Sequence, residues 1–218
     1  MEGRFRDREH AGRTVAEKLS AYARRDDVVV LALPRGGLPV AFEIASELRA
    51  PLDVFVVRKL GVPGQEELAM GAIASGGVRV INDDVVRDLH IDEASIERVA
   101  ESESLELERR ESAYRGGRPP AELHGKMVIL VDDGIATGST MRAAIRAVKK
   151  REPNKIVVAV PAAAPSTCRE IGRQVDEIVC AMMPEPFYAV GAWYEDFSQL
   201  TDDDVRKVLD EAATSGHA

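Results

Sequence analysis

Cysteine is scarce in this sequence, since its 218 residues include only two, Cys168 and Cys180. Their spacing matches neither a metal site nor a redox pair. The four histidines are scattered and also lack the spacing of metal ligands. We therefore expect free, mostly buried thiols, as is typical of a cytoplasmic protein.

Long apolar runs are also missing, because no stretch approaches the roughly 20 residues that a membrane-spanning helix needs. The first residues, MEGRFRDREHAGR, carry both charge signs and lack the apolar stretch of a signal peptide. Acidic residues outnumber basic ones by 37 to 29, and the resulting net charge of −8 argues against a broad basic surface. We expect a cytoplasmic protein with neither nucleic acid nor membrane among its partners.

The sequence does contain a regular alternation of short apolar runs with amphipathic helical patterns. The runs are rich in Val and Ile and show little alternation, which is typical of strands covered on both faces. This rhythm predicts an α/β fold, namely a doubly wound, mostly parallel sheet flanked by helices. The predicted strands cover residues 28–33, 54–57, 127–131, 156–160 and 175–180, and the predicted helices lie near residues 7–24, 38–49, 93–115, 139–151 and 165–173.

Two segments depart from this rhythm. Residues 60–80 are rich in glycine and contain Pro63, which favours a mobile loop leading to short strands. After Cys180 the alternation stops, and aromatic residues accumulate in PEPFYAVGAWYEDFSQL. The chain is long enough for one sizeable core and too short for two independent ones. We predict a single domain over residues 1–218, with a core that spans about 25–180.

The most informative stretch is VILVDDGIATGSTMRAAI, residues 128–145, in which a strand ends on two adjacent carboxylates. Ligands of an open parallel sheet bind beyond the carboxyl ends of its strands, where Asp132 and Asp133 fall. The next loop, residues 136–140, offers backbone N–H groups, hydroxyls and the start of a helix, which together suit a phosphate. Paired carboxylates instead suit neighbouring hydroxyls or a hydrated divalent cation.

One ligand presents both chemistries, because a ribose 5-phosphate unit has a cis-diol on one edge and a phosphate at the other end. A Walker A loop is excluded by the missing lysine, and a dinucleotide-binding loop by the missing G-x-G-x-x-G pattern. A plain helix start, capped by Ser139 and preceded by surface acids, remains the alternative.

These residues resemble a known family, the type I phosphoribosyltransferases. VILVDDGIATGST is similar to the family's motif for phosphoribosyl pyrophosphate (PRPP), an apolar strand followed by two acids and a T-G-x-T phosphate loop. ALPRGG, residues 32–37, resembles the pyrophosphate loop, and VVRKLG, residues 56–61, resembles the segment that brings a basic residue to pyrophosphate. The likeness covers roughly residues 25–200 and is strongest to the "predicted phosphoribosyltransferase" branch.

The resemblance implies a role for each matching position. It implies catalytic roles for Asp132, Asp133 and Lys59. It also implies Mg²⁺ as cofactor, bound through water by the two aspartates, with Glu195 as a further ligand. The substrate would be bound by the pyrophosphate loop, the phosphate loop and one basic neighbour, namely Arg35, Gly36, Gly37, Arg58, Gly134, Ala136, Thr137, Gly138, Ser139 and Thr140. The family often has a cis peptide bond in the pyrophosphate loop, which would fall near Pro34–Arg35.

The C-terminal PFYAVGAWYEDF resembles the hood of the purine-salvage branch, and we expect a hood over residues 181–200 plus the N-terminal segment. By that comparison Phe187 or Tyr188 would stack on a base, and Trp193 would cover the pocket. Enzymes for 6-oxopurines carry an acid in the phosphate loop, where this chain has Ala136. They also carry a lysine after the next strand, where this chain has the sequence VPAAAP. Hypoxanthine and guanine are therefore disfavoured as acceptors.

The activity implied by the resemblance is transfer of the ribose 5-phosphate unit of Mg²⁺-bound PRPP to a nitrogen of a nucleobase-like acceptor, with release of pyrophosphate. The family further suggests a homodimer. A PRPP-sensing regulatory protein without turnover is one alternative, because the same fold serves as a binding module. A hydrolase or phosphatase that acts on a phosphorylated sugar is another.

Overall fold

Helices and strands alternate along residues 3–214, the part of the chain that the computed structural model describes. The helices are α1 (Arg8–Lys18), α2 (Gly37–Leu48), α3 (Asp83–Asp88), α4 (Glu93–Arg115), α5 (Ser139–Lys149), α6 (Pro165–Gly172) and α7 (Asp202–Thr214). The strands are β1 (Val28–Ala32), β2 (Leu52–Val54), β3 (Val57–Val62), β4 (Gln65–Ala74), β5 (Val78–Ile81), β6 (Met127–Val131), β7 (Lys155–Ala162) and β8 (Glu177–Met182).

The central sheet has five parallel strands in the order β2-β1-β6-β7-β8. Successive residues of β1 face opposite layers: Val30 packs in the cluster that contains α1 and α2, and Leu31 packs in the cluster that contains α5 and α6. Both faces are covered, so every residue of β1 and β6 is buried, which accounts for their unbroken apolar runs. The predicted α/β fold class, a doubly wound and mostly parallel sheet, is confirmed.

The strand order changes direction between β1 and β6. Strand β2 pairs with one edge of β1, and β6, which comes later in the chain, pairs with the opposite edge of β1. In doubly wound sheets such a switch point opens a crevice at the carboxyl ends of the two strands, where ligands bind. The Leu33 N–H donates to the Val131 carbonyl at 2.8 Å, so the segments that leave β1 and β6 begin side by side.

A second, antiparallel sheet in the order β3-β4-β5 replaces the mobile loop predicted for residues 60–80. The glycines that suggested a loop instead permit close approach of neighbouring strands. A β-carbon on Gly71 would lie 2.5 Å from the Val80 carbonyl oxygen, and one on Gly61 would lie 2.8 Å from the Glu66 carbonyl oxygen. The prediction of a mobile loop was wrong because glycine content alone does not separate a flexible segment from a tightly packed one.

Helix α4 has the predicted bounds, whereas α7 was not predicted. Val205, Leu209 and Ala212 of α7 are buried and join the cluster of α1 and α2, so residues from both chain ends complete the core. Their spacing of four and three residues is the signal of a helix that the sequence analysis passed over. None of the helices between residues 3 and 214 is long and apolar enough to cross a membrane.

Candidate active site

The acid pair lies at the switch point, directly after β6. A β-carbon on Gly37 would lie 2.6 Å from the Val131 carbonyl oxygen, and one on Gly36 would overlap the carboxylate of Asp133. The absence of side chains at these two glycines lets the pyrophosphate loop pack directly against the acid pair. The structure thus brings together two of the segments singled out in the sequence. The peptide bond between Pro34 and Arg35 is cis, as the resemblance implied.

The phosphate loop encloses a small cavity of about 140 Å³, lined by Asp132 and residues 134–141. The backbone N–H groups of residues 136–140 make no hydrogen bond to any other described residue. Two carbonyls of the loop are engaged instead: Thr167 Oγ1 donates to the Ala136 carbonyl at 2.7 Å, and the Arg142 guanidinium donates to the Thr137 carbonyl at 2.6 Å. Free donors at the start of α5 are the groups that an anion would need, which is consistent with the predicted phosphate loop.

The two carboxylates of the acid pair repel each other in a buried setting. Burial raises the pKa of Asp132 well above its usual value, and repulsion from Asp133 raises it further. Burial also raises the pKa of Asp133, although the hydrogen bond from Arg8 opposes that rise. A ligand that brings hydroxyl donors or a cation to this pair would relieve the repulsion, which supports the predicted preference for a diol or a hydrated ion.

Arg8 and Tyr194 also contact the acid pair, and neither residue was predicted from the sequence. Arg8 Nε donates to Asp133 Oδ2 at 2.9 Å, and the Tyr194 hydroxyl donates to the Asp133 carbonyl at 2.6 Å. Burial raises the pKa of Tyr194, so its hydroxyl stays protonated as a donor. The arginine-rich start of the chain, RFRDR, is the signal that could have directed attention to Arg8.

The hood is built from both ends of the chain. The Phe5 N–H donates to the Trp193 carbonyl at 2.9 Å, and the Glu195 N–H donates to the Phe5 carbonyl at 2.8 Å. Val190 packs against Gly134, the residue that follows the acid pair: a β-carbon on Gly134 would lie 2.5 Å from Val190 Cγ1. The hood segments therefore close over the residues that follow β6.

The predicted hood residues have different environments. The Phe187 and Trp193 rings stack with centroids 6.3 Å apart and an interplanar angle of 28°. Tyr188 is 84% exposed, so its ring is free to meet a ligand. Glu195 is exposed, and its role as a metal ligand stays a prediction.

Arg58 and Lys59 lie elsewhere, on β3 of the antiparallel sheet. Arg58 forms an ion pair with Glu103 of α4 at 2.6 Å, and Lys59 Nζ lies 3.4 Å from a carboxylate oxygen of Glu67. Both line a cavity of about 560 Å³ between the β3–β4 hairpin and α4. This cavity shares no lining residue with that of the phosphate loop. The structure does not bring the two basic residues to the acid pair, and their role toward pyrophosphate stays a prediction.

Arg35 of the pyrophosphate loop is connected to the C-terminal helix instead. Its guanidinium lies 3.7 Å from the Asp202 carboxylate at the start of α7. Asp202 also accepts a hydrogen bond of 2.8 Å from the Tyr114 hydroxyl, and burial together with this bond raises the pKa of Tyr114 to about 12. Arg35 therefore lies beside a carboxylate that is itself held by Tyr114.

A metal cage made only of protein side chains is not found between residues 3 and 214, where no three His, Cys, Asp or Glu side chains form a candidate cluster. Asp132 and Asp133 suit a different arrangement. Mg²⁺ commonly keeps several waters and is bound by one or two carboxylates together with substrate phosphates. The acid pair fits an ion of that kind.

Comparison with known proteins identifies the family. Residues 5–183 match the sequence model of the family described as "Phosphoribosyl transferase domain". The chain belongs to this family. Over 208 residues it is 49% identical to proteins of two Mycobacterium tuberculosis strains, H37Rv and CDC 1551, each named "Putative phosphoribosyl transferase". The match covers 95% of this chain and 47% of theirs, so the chain spans about half the length of the curated relatives it matches.

A solved structure supports the fold independently. The protein TT1426 from Thermus thermophilus has 44% sequence identity and a TM-score of 0.85, and the match covers 95% of this chain and 98% of that one. The present chain therefore shares its arrangement of strands and helices with that crystal structure over nearly the whole length of both proteins.

Proposed function

We propose that the protein transfers the ribose 5-phosphate unit of Mg²⁺-bound PRPP to a nitrogen of a nucleobase-like acceptor and releases pyrophosphate. The observation that carries this proposal is the phosphate-loop cavity, which is lined both by Asp132 and by residues 136–140, whose N–H groups have no partner among the described residues. An anion site beside a carboxylate matches the two ends of a ribose 5-phosphate unit.

The ligand would be divided among three segments of the site. Residues 134–140 would bind the 5-phosphate through backbone N–H groups and the hydroxyls of Thr137, Ser139 and Thr140. Asp132 and Asp133 would accept hydrogen bonds from the ribose diol. The pyrophosphate would lie at Arg35 and the amide of Gly36, next to the acid pair. The Gly37 N–H donates to the Leu33 carbonyl at 3.0 Å, so Gly37 would serve by leaving space for the ligand.

In the proposed reaction, the acceptor nitrogen forms a bond to the anomeric carbon as the bond from that carbon to pyrophosphate breaks. Pyrophosphate leaves with the electron pair, and the sugar passes through an oxocarbenium-like state. When bound, Mg²⁺ neutralises charge on the leaving pyrophosphate, and Asp132 and Asp133 would hold the ion through water. The protein aligns the reactants and excludes water beneath the hood.

The acceptor site would lie under the hood, beside Phe187, Tyr188 and Trp193. Ala136 and the apolar end of β7 stand where the 6-oxopurine enzymes carry their acid and lysine, which supports a base other than hypoxanthine or guanine. We further propose a cytoplasmic homodimer, with small molecules rather than nucleic acid or membrane as partners. These last points rest on the family resemblance and on the charge of the chain.

The experiment is a panel of nucleobases and amines supplied with Mg²⁺ and PRPP, scored for pyrophosphate release. We expect steady release that depends on one class of acceptor and is reduced in Asp132→Asn. Release without any acceptor would indicate a hydrolase instead.

A PRPP-sensing protein without turnover is the second candidate. One observation favours it: the basic residues predicted for the leaving group, Arg58 and Lys59, form ion pairs with Glu103 and Glu67. A sensor would bind Mg²⁺–PRPP with normal affinity and release no pyrophosphate with any acceptor of the panel.

A further inference from the structure

Arg8, in the first turn of α1, is fixed on three sides at the acid pair. Its Nε donates to Asp133 Oδ2 at 2.9 Å, and a terminal nitrogen donates to the Ser198 carbonyl at 2.9 Å. The guanidinium carbon lies 4.0 Å from the centroid of the Phe197 ring. The Arg8 and Asp133 side chains are only 11% and 14% exposed. The guanidinium is therefore oriented by the hood as well as by the carboxylate.

This pair differs from the other ion pair made by α1. Arg13 contacts Glu43 at 2.8 Å with half of its side chain in solvent. A surface pair of that kind contributes little to stability. A shielded guanidinium loses hydration, and its planar donor groups fix the partner carboxylate in one orientation. The burial of Arg8 thus indicates a geometric role.

Asp133 is also fixed through its other atoms. The Tyr194 hydroxyl binds the Asp133 carbonyl, and Gly36 packs against the carboxylate. Arg8 occupies Oδ2, whereas Oδ1 makes no hydrogen bond to any other residue between 3 and 214. One oxygen of the carboxylate is thus held by Arg8, and the other has no hydrogen-bond partner among the described residues.

We propose that Arg8 is a positioning residue: by holding Oδ2 of Asp133, it keeps Oδ1 directed at the hydroxyls of the ribose unit. This inference rests on the proposed function, because it assumes that the acid pair binds the diol. Without Arg8 the Asp133 carboxylate is free to rotate about its Cβ–Cγ bond. The cavity of the phosphate loop is lined by neither Arg8 nor its hood contacts Phe197 and Ser198, so the loop should be unaffected.

The test compares Arg8→Gln and Arg8→Lys with the matched control Arg13→Gln on the same helix. Dissociation constants are measured for Mg²⁺–PRPP, ribose 5-phosphate and inorganic phosphate. We expect Arg8→Gln to weaken the two sugar ligands by about tenfold or more, the effect of one charge-assisted hydrogen bond. Inorganic phosphate should bind as in wild type, and Arg8→Lys should restore part of the loss. Arg13→Gln should match wild type for all three ligands.

A chemical rescue separates positioning from folding. In Arg8→Ala, added guanidinium at millimolar concentration should recover sugar binding, because the free ion can occupy the space beside Asp133. Equal weakening of inorganic phosphate, or no rescue together with a lowered melting temperature of the free protein, would overturn the inference and leave Arg8 a structural residue. Normal sugar binding in Arg8→Gln would overturn it as well. Wild type that fails to bind PRPP would overturn the proposed function itself.

Discussion

The α-carbon of Gly36 packs against the carboxylate of Asp133 and leaves no space for a β-carbon. Gly36→Ala must therefore displace the Asp133 carboxylate or separate the pyrophosphate loop from the acid pair. We expect a loss of about 1–3 kcal/mol in the free energy of unfolding, which is typical of overpacking, and a smaller PRPP-induced rise in melting temperature. Gly3→Ala is the matched control, because a β-carbon there meets nothing within 4 Å. Equal behaviour of the two variants would contradict the close contact.

The division of the site into a diol end and a phosphate end predicts opposite ligand patterns. Asp132→Asn or Asp133→Asn should weaken PRPP and ribose 5-phosphate by roughly 1.5–3 kcal/mol, as expected for a charge-assisted hydrogen bond, and should spare free phosphate. Thr140→Val should weaken free phosphate as well. Calorimetry with the three ligands measures both patterns. Asp88→Asn, an exposed residue of α3, is the control. Asn variants that respond to PRPP like wild type would remove the acid pair from ligand binding.

Lys59 tests whether the antiparallel sheet reaches the leaving group. If it does, Lys59→Ala should weaken pyrophosphate and PRPP more than ribose 5-phosphate, because only the first two ligands contain a diphosphate. Lys149→Ala, an exposed lysine at the end of α5, is the control. Equal affinity of wild type and Lys59→Ala for pyrophosphate would show that Lys59 serves only its contact with Glu67.

The hood aromatics should act on the acceptor and not on PRPP. Truncating Phe187, Tyr188 or Trp193 to Ala should raise the acceptor's KM if that ring stacks on the base, with the KM for PRPP nearly constant. Tyr188 is the sharpest case, because its exposed ring contributes little to the fold. If a variant has unchanged kinetics and a lowered melting temperature, the aromatic residue that it lacks stabilises the fold and does not bind the acceptor.

The acid pair should also give the free protein a characteristic pH dependence. Because the pKa of Asp132 is raised in the folded state, folding binds a proton there. Its contribution is fully favourable below the unfolded value of about 4 and falls as the pH rises toward the folded value. Asp132→Asn should therefore raise the melting temperature of the ligand-free protein near neutral pH, measured with a chelator present. The difference from wild type should vanish in acid, and a lower melting temperature at neutral pH would contradict the raised pKa.

The parts of the fold and site that the sequence predicted are those set by local pattern and strand topology. Uniformly apolar runs identified the buried strands β1 and β6, and the charge and apolar spacing gave α4 its bounds. The rule that ligands bind beyond the carboxyl ends of parallel strands directed attention to Asp132 and Asp133. These inferences need no knowledge of distant contacts.

The parts that were missed depend on contacts between remote positions. Nothing near Arg8 in the sequence indicates that its partner is Asp133. The sequence around Tyr194 is equally compatible with a tyrosine of the hydrophobic core. Lys59 was expected to contact pyrophosphate, because it follows a predicted strand, and that role stays a prediction. The chain instead turns into the β3–β4 hairpin, whose course local spacing does not determine.

The hood combines residues near Phe5 with residues near Trp193, and this has a consequence for the order in which the site can be completed. Arg8 and Asp133 are 125 positions apart, and Arg8 and Ser198 are 190 apart. Each of these contacts closes a long loop, and closing it costs conformational entropy. During synthesis the five parallel strands through Met182 are made before Tyr194 and Ser198. Asp133 can therefore acquire its final surroundings only after the sheet and the phosphate loop have been synthesised, when Tyr194 and Ser198 dock.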